Sequence, residues 1–298
     1  MHNLPEQHST YQAGEPPTAQ GLMAGKVAII TGAGRGFGSG IARAVGLEGS
    51  AVCISDINDD ELAQTESDLK AEGIEVMAEH LDISDLQAFR HVVQLTVERY
   101  GRLDAVIQNA ASLPLIPFEQ ISETMWWQQL HINLGGMFNA IKSCWDIFKL
   151  QGGGHIIGIG SGSSFRGFKN ESAYCASKHA EDGLIKSLAL ESAPHKISLN
   201  TIGPGRKIKP TGITREQLLS ISPEEKATWT DPSELGLAFV WLISQPPGLF
   251  SGFRFDAGIL VDTIAQEGFN FQFSAEKVTN YVDDLLARKA WYENYPNS

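Results

Sequence analysis

The chain has 298 residues, of which 42% are apolar and 19% charged, and its formal net charge is −12. That size suits one large α/β domain, and the acidic balance argues against nucleic acid or an anionic membrane surface as partner. No apolar stretch approaches the ~20 residues that span a bilayer, the N-terminus lacks a secretory pattern, and three scattered cysteines suggest neither a disulfide framework nor a metal cluster. The expected setting is the cytoplasm.

Residues Met1 to Ala24 are polar and aperiodic, with Pro5, Pro16 and Pro17, and read as a loose tail. From Gly25 the pattern becomes regular. Short apolar runs at Lys26–Ile30, Ala51–Ser55, Glu75–Leu81, Leu103–Gln108, His155–Gly160 and Ile197–Ile202 read as buried parallel strands. Helical periodicity fills the gaps at Ser39–Glu48, Glu61–Glu72, Leu86–Tyr100, Trp126–Leu150 and Ala173–Ala193, with Gly135-Gly136 interrupting the fourth helix. Alternating strands and helices predict a Rossmann-type, doubly wound parallel sheet of about seven strands, one domain spanning residues 25–260. Ligands of such sheets lie beyond the carboxyl ends of the strands.

Thr31-Gly32-Ala33-Gly34-Arg35-Gly36-Phe37-Gly38 stands between the first strand and first helix. Its glycines permit tight turns and close backbone approach to a pyrophosphate at the helix N-terminus. The spacing departs from G-x-G-x-x-G, because Ser39 and Ile41 fall where the third glycine belongs. Asp56 ends the second strand, where a carboxylate accepts hydrogen bonds from a ribose diol and repels a 2′-phosphate. It could also cap the helix near Glu61.

Tyr174 and Lys178 are one helical turn apart and so share a face. A cation beside a phenol lowers its pKa from ~10 and makes a proton donor and acceptor usable near neutral pH. Ser161, at the end of a strand, can hold a substrate oxygen against that phenol. The spacing alone also describes a helix with a half-buried Tyr and a solvated Lys.

Taken together, Thr-Gly-x-x-x-Gly-x-Gly, Asp56, Asp82-Ile83, Asn109-Ala110-Ala111, Asn133, Ser161, Tyr174-x-x-x-Lys178, Pro204-Gly205 and Ser251-Gly252 before Asp256-Ala257-Gly258 resemble the short-chain dehydrogenase/reductase family from Gly25 to about Leu260. The resemblance implies a nicotinamide cofactor, hydride transfer at a carbinol carbon and a catalytic group of Asn133, Ser161, Tyr174 and Lys178. It also implies cofactor contacts from Gly32, Arg35, Gly36, Phe37, Gly38, Asp56, Asp82, Ile83, Asn109, Ala110, Tyr174, Lys178, Pro204 and Gly205. Tyr174 would be the acid/base, Lys178 would hold the nicotinamide ribose, and Asn133 would anchor a water leading to solvent. Arg35 serves a 2′-phosphate in some relatives, but Asp56 opposes one directly, which favours NAD over NADP. Two departures stand out: Ala111 replaces the usual glycine, and Arg206 to Thr211 delay the threonine expected after Gly205.

Leu113, Ser163, Phe168 and the segment Arg206–Thr230 are the expected substrate walls, the last of these long enough to be a lid. Arg206, Lys207, Lys209 and Arg215 would suit an anionic or polyhydroxylated substrate, or form a solvated basic loop. Ser274 and the stripe Val278, Tyr281, Val282, Leu285 and Leu286 predict an amphipathic helix in a C-terminal extension, residues 261–298. The family resemblance implies a homo-oligomer, tetramer or dimer. The leading expectation is an NAD-dependent dehydrogenase of a small secondary alcohol, sugar, polyol or anionic hydroxy compound. An NADPH-dependent 3-oxoacyl-type reductase and a non-catalytic dinucleotide sensor are the alternatives.

Overall fold

Seven parallel strands form one sheet in the order β3-β2-β1-β4-β5-β6-β7. They are β1 (Val27–Thr31), β2 (Ala51–Asp56), β3 (Val76–His80), β4 (Ala105–Gln108), β5 (Gly154–Ile159), β6 (Ile197–Gly203) and β7 (Arg254–Asp256) in a computed structural model that describes residues 21–209, 213 and 215–271. Helices α1 (Gly36–Leu47), α2 (Asp59–Ala71), α3 (Leu86–Tyr100), α4 (Glu123–Leu130), α5 (Gly136–Gln151) and α6 (Ser172–Ser192) alternate with the strands. Beyond β6 come α7 (Arg215–Leu219), α8 (Pro223–Lys226), α9 (Pro232–Ser244) and α10 (Ala257–Glu267).

The apolar runs become strands because both faces of the sheet are covered. Ala28 and Ile30 pack on one side with Ile41, Val45, Phe239, Trp241 and Leu260, while Val27 and Ile29 pack on the other with Phe89, Met137, Phe148 and Ile185. Alternation along the strand divides each run between two cores. Trp241 stacks on Phe271 at 4.9 Å between ring centroids and 11° between planes, which closes the first core beyond α10.

The direction of winding reverses between β1 and β4, paired through Ala28 and Ala105. Loops on either side of that point diverge, and a crevice opens beyond Thr31 and Gln108. Thr31 Oγ1 donates to Gln108 Oε1 (2.7 Å) and accepts from the Asn109 and Ala110 amides (3.1 Å each), so the floor of the crevice is hydrogen-bonded across the two strands.

Three expectations need correction. The tail does not reach Ala24: Met23 is fully buried and its amide donates to the Glu48 carbonyl (2.9 Å). The long fourth helix is two, joined by a π turn over His131–Gly135; Gly136, which follows the turn, packs against Ile83, whose Cδ1 would lie 2.6 Å from an added methyl. After Gly258 the chain continues as α10, N-capped by Asp256, whose Oδ1 accepts from the Ile259 amide (3.0 Å). The helix expected from Ser274 lies outside the described residues.

Candidate active site

The crevice is a cleft of about 1070 Å³, running from the glycine-rich loop and Asp56 at one end to Ser161, Phe168 and Tyr174 at the other. Gly32 and Gly36 both have φ +62°, a backbone that a side chain would strain. An added Cβ at Gly38 would lie 2.6 Å from Asn109 Nδ2, the group that ties the loop to β4 by donating to the carbonyls of Thr31 (3.0 Å) and Gly32 (2.9 Å). Arg35 precedes α1 in extended conformation and its side chain makes no capping bond. The first amides of α1 therefore remain available to an anion. This is a cradle that side chains would fill, and its chemistry suits a pyrophosphate.

At the same end, Asp56 Oδ2 accepts from the Gly34 amide (2.9 Å) and Oδ1 from the Asn58 amide (3.0 Å). Asp56 thus closes the loop, while helix capping falls to Asn58, which accepts from the Glu61 amide (3.0 Å). The Arg35 guanidinium is held by Glu61 at 2.6 Å. Asp82 accepts from both the amide and the hydroxyl of Ser84 (2.9 and 2.7 Å), and Ile83 is buried beside it. Asp82, Ile83, Asn109 and Ala110 line the middle of the cleft, and the Ala111 methyl lies on its wall.

The other end is built on β5 and α6. Ser161 lies two residues beyond β5, capping the Gly162–Ser164 turn, and accepts from the Ser163 amide at Oγ (3.1 Å), leaving its own hydroxyl proton to donate. Its carbonyl receives the Arg254 guanidinium from β7 (2.6 Å), which also lies over the Phe165 ring at 4.3 Å. A buried cation thereby fixes the Ser161 backbone. Tyr174 and Lys178 rise from the first turns of α6, with Lys178 Nζ 5.7 Å from the centroid of the Tyr174 ring. That ammonium donates to the Ile159 carbonyl (3.2 Å) and to Glu181 (2.9 Å). Burial, the largest single influence, pulls the Lys178 pKa down, but the charges of Glu181 and Tyr174 and the Glu181 hydrogen bond together outweigh it and the net direction is upward, so the amine is protonated.

Asn133 lies in the π turn, behind the cleft wall. Its Oδ1 accepts from the Ser112 amide (2.8 Å), and its Nδ2 donates to the Ser112 carbonyl (3.0 Å) and Ser177 Oγ (3.1 Å). Ser177 donates in turn to the Tyr174 carbonyl (2.8 Å), so Asn133 ties the wall carrying Leu113 to the helix carrying Tyr174.

The substrate side departs from expectation at Arg206. Its guanidinium points away from the cleft and is held by Glu234 (2.6 Å) and Asp262 (2.5 Å), while Lys207 donates to Thr228 (2.7 Å). Lys209 is not on the substrate side either: it lies over the glycine loop, its Nζ 3.7 Å from where a Gly36 Cβ would be, and donates to the Ile213 carbonyl (2.7 Å). Ser163, Phe168 and Leu113 do line the cleft. Sequence reasoning missed the acidic group among them, Glu171, which accepts from the buried Ser163 hydroxyl (2.8 Å), and also Gln128 and His131. Glu171 is three residues before Tyr174, at the position that precedes α6. Gly38 and Gly205 lie outside the cleft lining: an added Cβ at Gly205, φ +66°, would collide with the Asp256 carboxylate. Pro204 lines the cleft.

The model of the short chain dehydrogenase family matches residues 26–218. The chain belongs to this family. A (−)-trans-carveol dehydrogenase from Rhodococcus erythropolis is 36% identical over 76% of this short-chain dehydrogenase and 94% of the relative. A galactitol 2-dehydrogenase from Agrobacterium fabrum is 36% identical over 60% of this chain and 70% of the relative. Among solved structures, a carveol dehydrogenase from Mycobacterium avium in complex with NAD superposes with a TM-score of 0.70 at 26% identity, covering 81% of this chain and all of the other. An actinorhodin polyketide ketoreductase with NADPH gives 0.71, also at 26% identity, with 80% and 97% covered. As a member of the family the chain is an oxidoreductase of CH–OH groups that uses NAD or NADP. Among the described residues no helix is long and apolar enough to cross a membrane.

Proposed function

We propose that this short-chain dehydrogenase oxidises a small, uncharged secondary alcohol or polyol with NAD and reduces the matching ketone. The observation that carries the reading is one cleft with Ser161, Tyr174 and Lys178 on the wall at one end and Asp56 at the other. The bound nicotinamide supplies the hydride chemistry, and the chain supplies position and proton management. Ser161 and Tyr174 hold the substrate oxygen; Tyr174 takes the carbinol proton in oxidation and returns it in reduction. Lys178 keeps one N–H for the nicotinamide ribose, since its other two are committed. Asn133 positions the helix: both Nδ2 hydrogens are committed, and what it keeps for a water is the second lone pair of Oδ1.

Asp56 and the Arg35–Glu61 pair support NAD. The carboxylate suits a ribose diol, and a 2′-phosphate would have to displace Glu61 from Arg35 while facing Asp56. Lys209 stands where it favours the pyrophosphate. At the substrate end Glu171 carries a negative charge, while Arg206 and Lys207 are engaged elsewhere, which supports an uncharged substrate over an anionic one. Exposed Trp127 and Phe138, on α4 and α5, support a homo-oligomer.

The test is a panel of cyclic alcohols, polyols, hydroxy acids and aliphatic alcohols with each cofactor, followed by nicotinamide absorbance. Turnover of an uncharged alcohol with NAD, abolished in Tyr174→Phe with cofactor binding intact, is expected. Turnover retained in Tyr174→Phe, or a preference for NADP, would overturn the reading.

A further inference from the structure

Among the described residues, Glu181 is the carboxylate in contact with the proposed catalytic lysine. It follows Lys178 by three residues on α6, and the pair meets at 2.9 Å with both side chains 5% exposed. Nothing in the helix demands it, because a buried ion pair is poor evidence for stability and an apolar side chain would fill the same space. Its effect is electrostatic. A protonated lysine makes a nearby phenol easier to ionise, and a carboxylate at contact distance from that lysine cancels much of its field in a buried site.

We propose that Glu181 is a positioning residue for proton transfer, which aims the Lys178 ammonium at the cleft and offsets its charge, so that it sets the pH at which Tyr174 gives up its proton. The proposal rests on the reading of Tyr174 and Lys178 as the proton-handling pair. With Glu181 and the Ile159 carbonyl taking two N–H groups, the third is left to the cleft that Lys178 lines. Burial pushes the Glu181 carboxyl above the usual carboxylate range, with Lys178 pulling it back.

Among the surroundings, Glu171 precedes α6 and lines the same cleft as Tyr174, and both Glu181 variants leave it in place. On α6 itself, Asp182 also acts on Glu181 but is itself paired with Lys186 (2.8 Å). The strand β6 and the Gly162–Ser164 turn, both packed on α6, contain no titratable side chain. The π turn contributes His131, which is exposed, and α4 has Glu123, also exposed. Arg254 ends on the Ser161 carbonyl. His195, in the short turn after α6, lies at the opposite end of that helix from Tyr174.

The experiment uses the full chain with Glu181→Gln, which keeps the shape and removes the charge, and Glu181→Leu, which removes the hydrogen bond as well. Two profiles are followed: kcat/KM for alcohol oxidation against pH, and ultraviolet phenolate absorbance, each enzyme minus its Tyr174→Phe counterpart. Both Glu181 variants should move the acid limb and the phenolate titration to lower pH by about one unit. In a Lys178→Met background neither should move. Profiles unchanged in the Glu181 variants, or moved upward, overturn the proposal, as does loss of folding in both of them, which would make the role structural. The absorbance readout needs no turnover. A dehydrogenase reading that fails on Tyr174→Phe thus leaves the Glu181 result interpretable on its own.

Discussion

Glu61 holds the Arg35 guanidinium at 2.6 Å in the wall of the cleft, with 29% of the arginine and 13% of the glutamate side chain exposed. The cation of the glycine loop suited to a 2′-phosphate is thereby engaged. Glu61→Gln should release it and lower KM for NADP by about tenfold, the scale of one charge-assisted hydrogen bond. KM for NAD should stay within about twofold, because Asp56 is untouched. Initial rates with both cofactors check this.

Gly38 is where the glycine loop touches Asn109. A methyl there would lie 2.6 Å from Asn109 Nδ2 and would push the loop off β4. Gly38→Ala is expected to fold, since it sits in the first turn of α1, but to weaken NAD binding by at least about tenfold, more than 1.4 kcal/mol. Calorimetric titration of cofactor, with circular dichroism as the folding control, measures it.

His155 lies fully inside β5, 2% exposed, with Nε2 donating to the Gln245 carbonyl (3.1 Å) and Nδ1 meeting no partner. Burial, aided by the charge of Lys26, lowers its pKa from 6.5 to about 4. The unfolded chain takes up a proton that the folded chain refuses, so the stability present above pH 6.5 is lost as pH falls towards about 4. The loss approaches ~3 kcal/mol across that window. Urea midpoints should fall less steeply with pH in His155→Leu than in the parent.

Glu171 should make carboxylated alcohols poor substrates. Glu171→Gln is expected to raise kcat/KM for hydroxy acids by about tenfold relative to neutral alcohols, by removing one unscreened repulsion. Charge reversal at Arg206 should leave the preference for neutral over acidic alcohols where it was, because Glu234 and Asp262 hold that guanidinium outside the cleft. Competition between the two substrate types in one assay reads both.

The strand runs, their alternation with helices and the Tyr174–Lys178 spacing were legible because each is a local pattern. Asp56 was legible because it ends a strand. The partners that decide charge were not. Arg35 finds Glu61 across 26 residues, and Arg206 finds Asp262 across 56, so neither neutralisation leaves a local signal. Glu181 is close in sequence to Lys178, yet nothing in the helix pattern says that both are buried. Arg254 carried a usable signal, a lone cation between two phenylalanines in a short strand, and α10 carried another in Asp256, a good N-cap read instead as part of a terminal motif.

Asp256 leaves Gly205 no room for a side chain while its Oδ1 caps α10, and Arg206, the next residue, reaches α9 and α10 through Glu234 and Asp262. The exit from β6 is therefore bolted to the far edge of the sheet. A substitution of Asp262 in α10 would therefore loosen the residues that follow β6, next to Pro204 in the cleft wall.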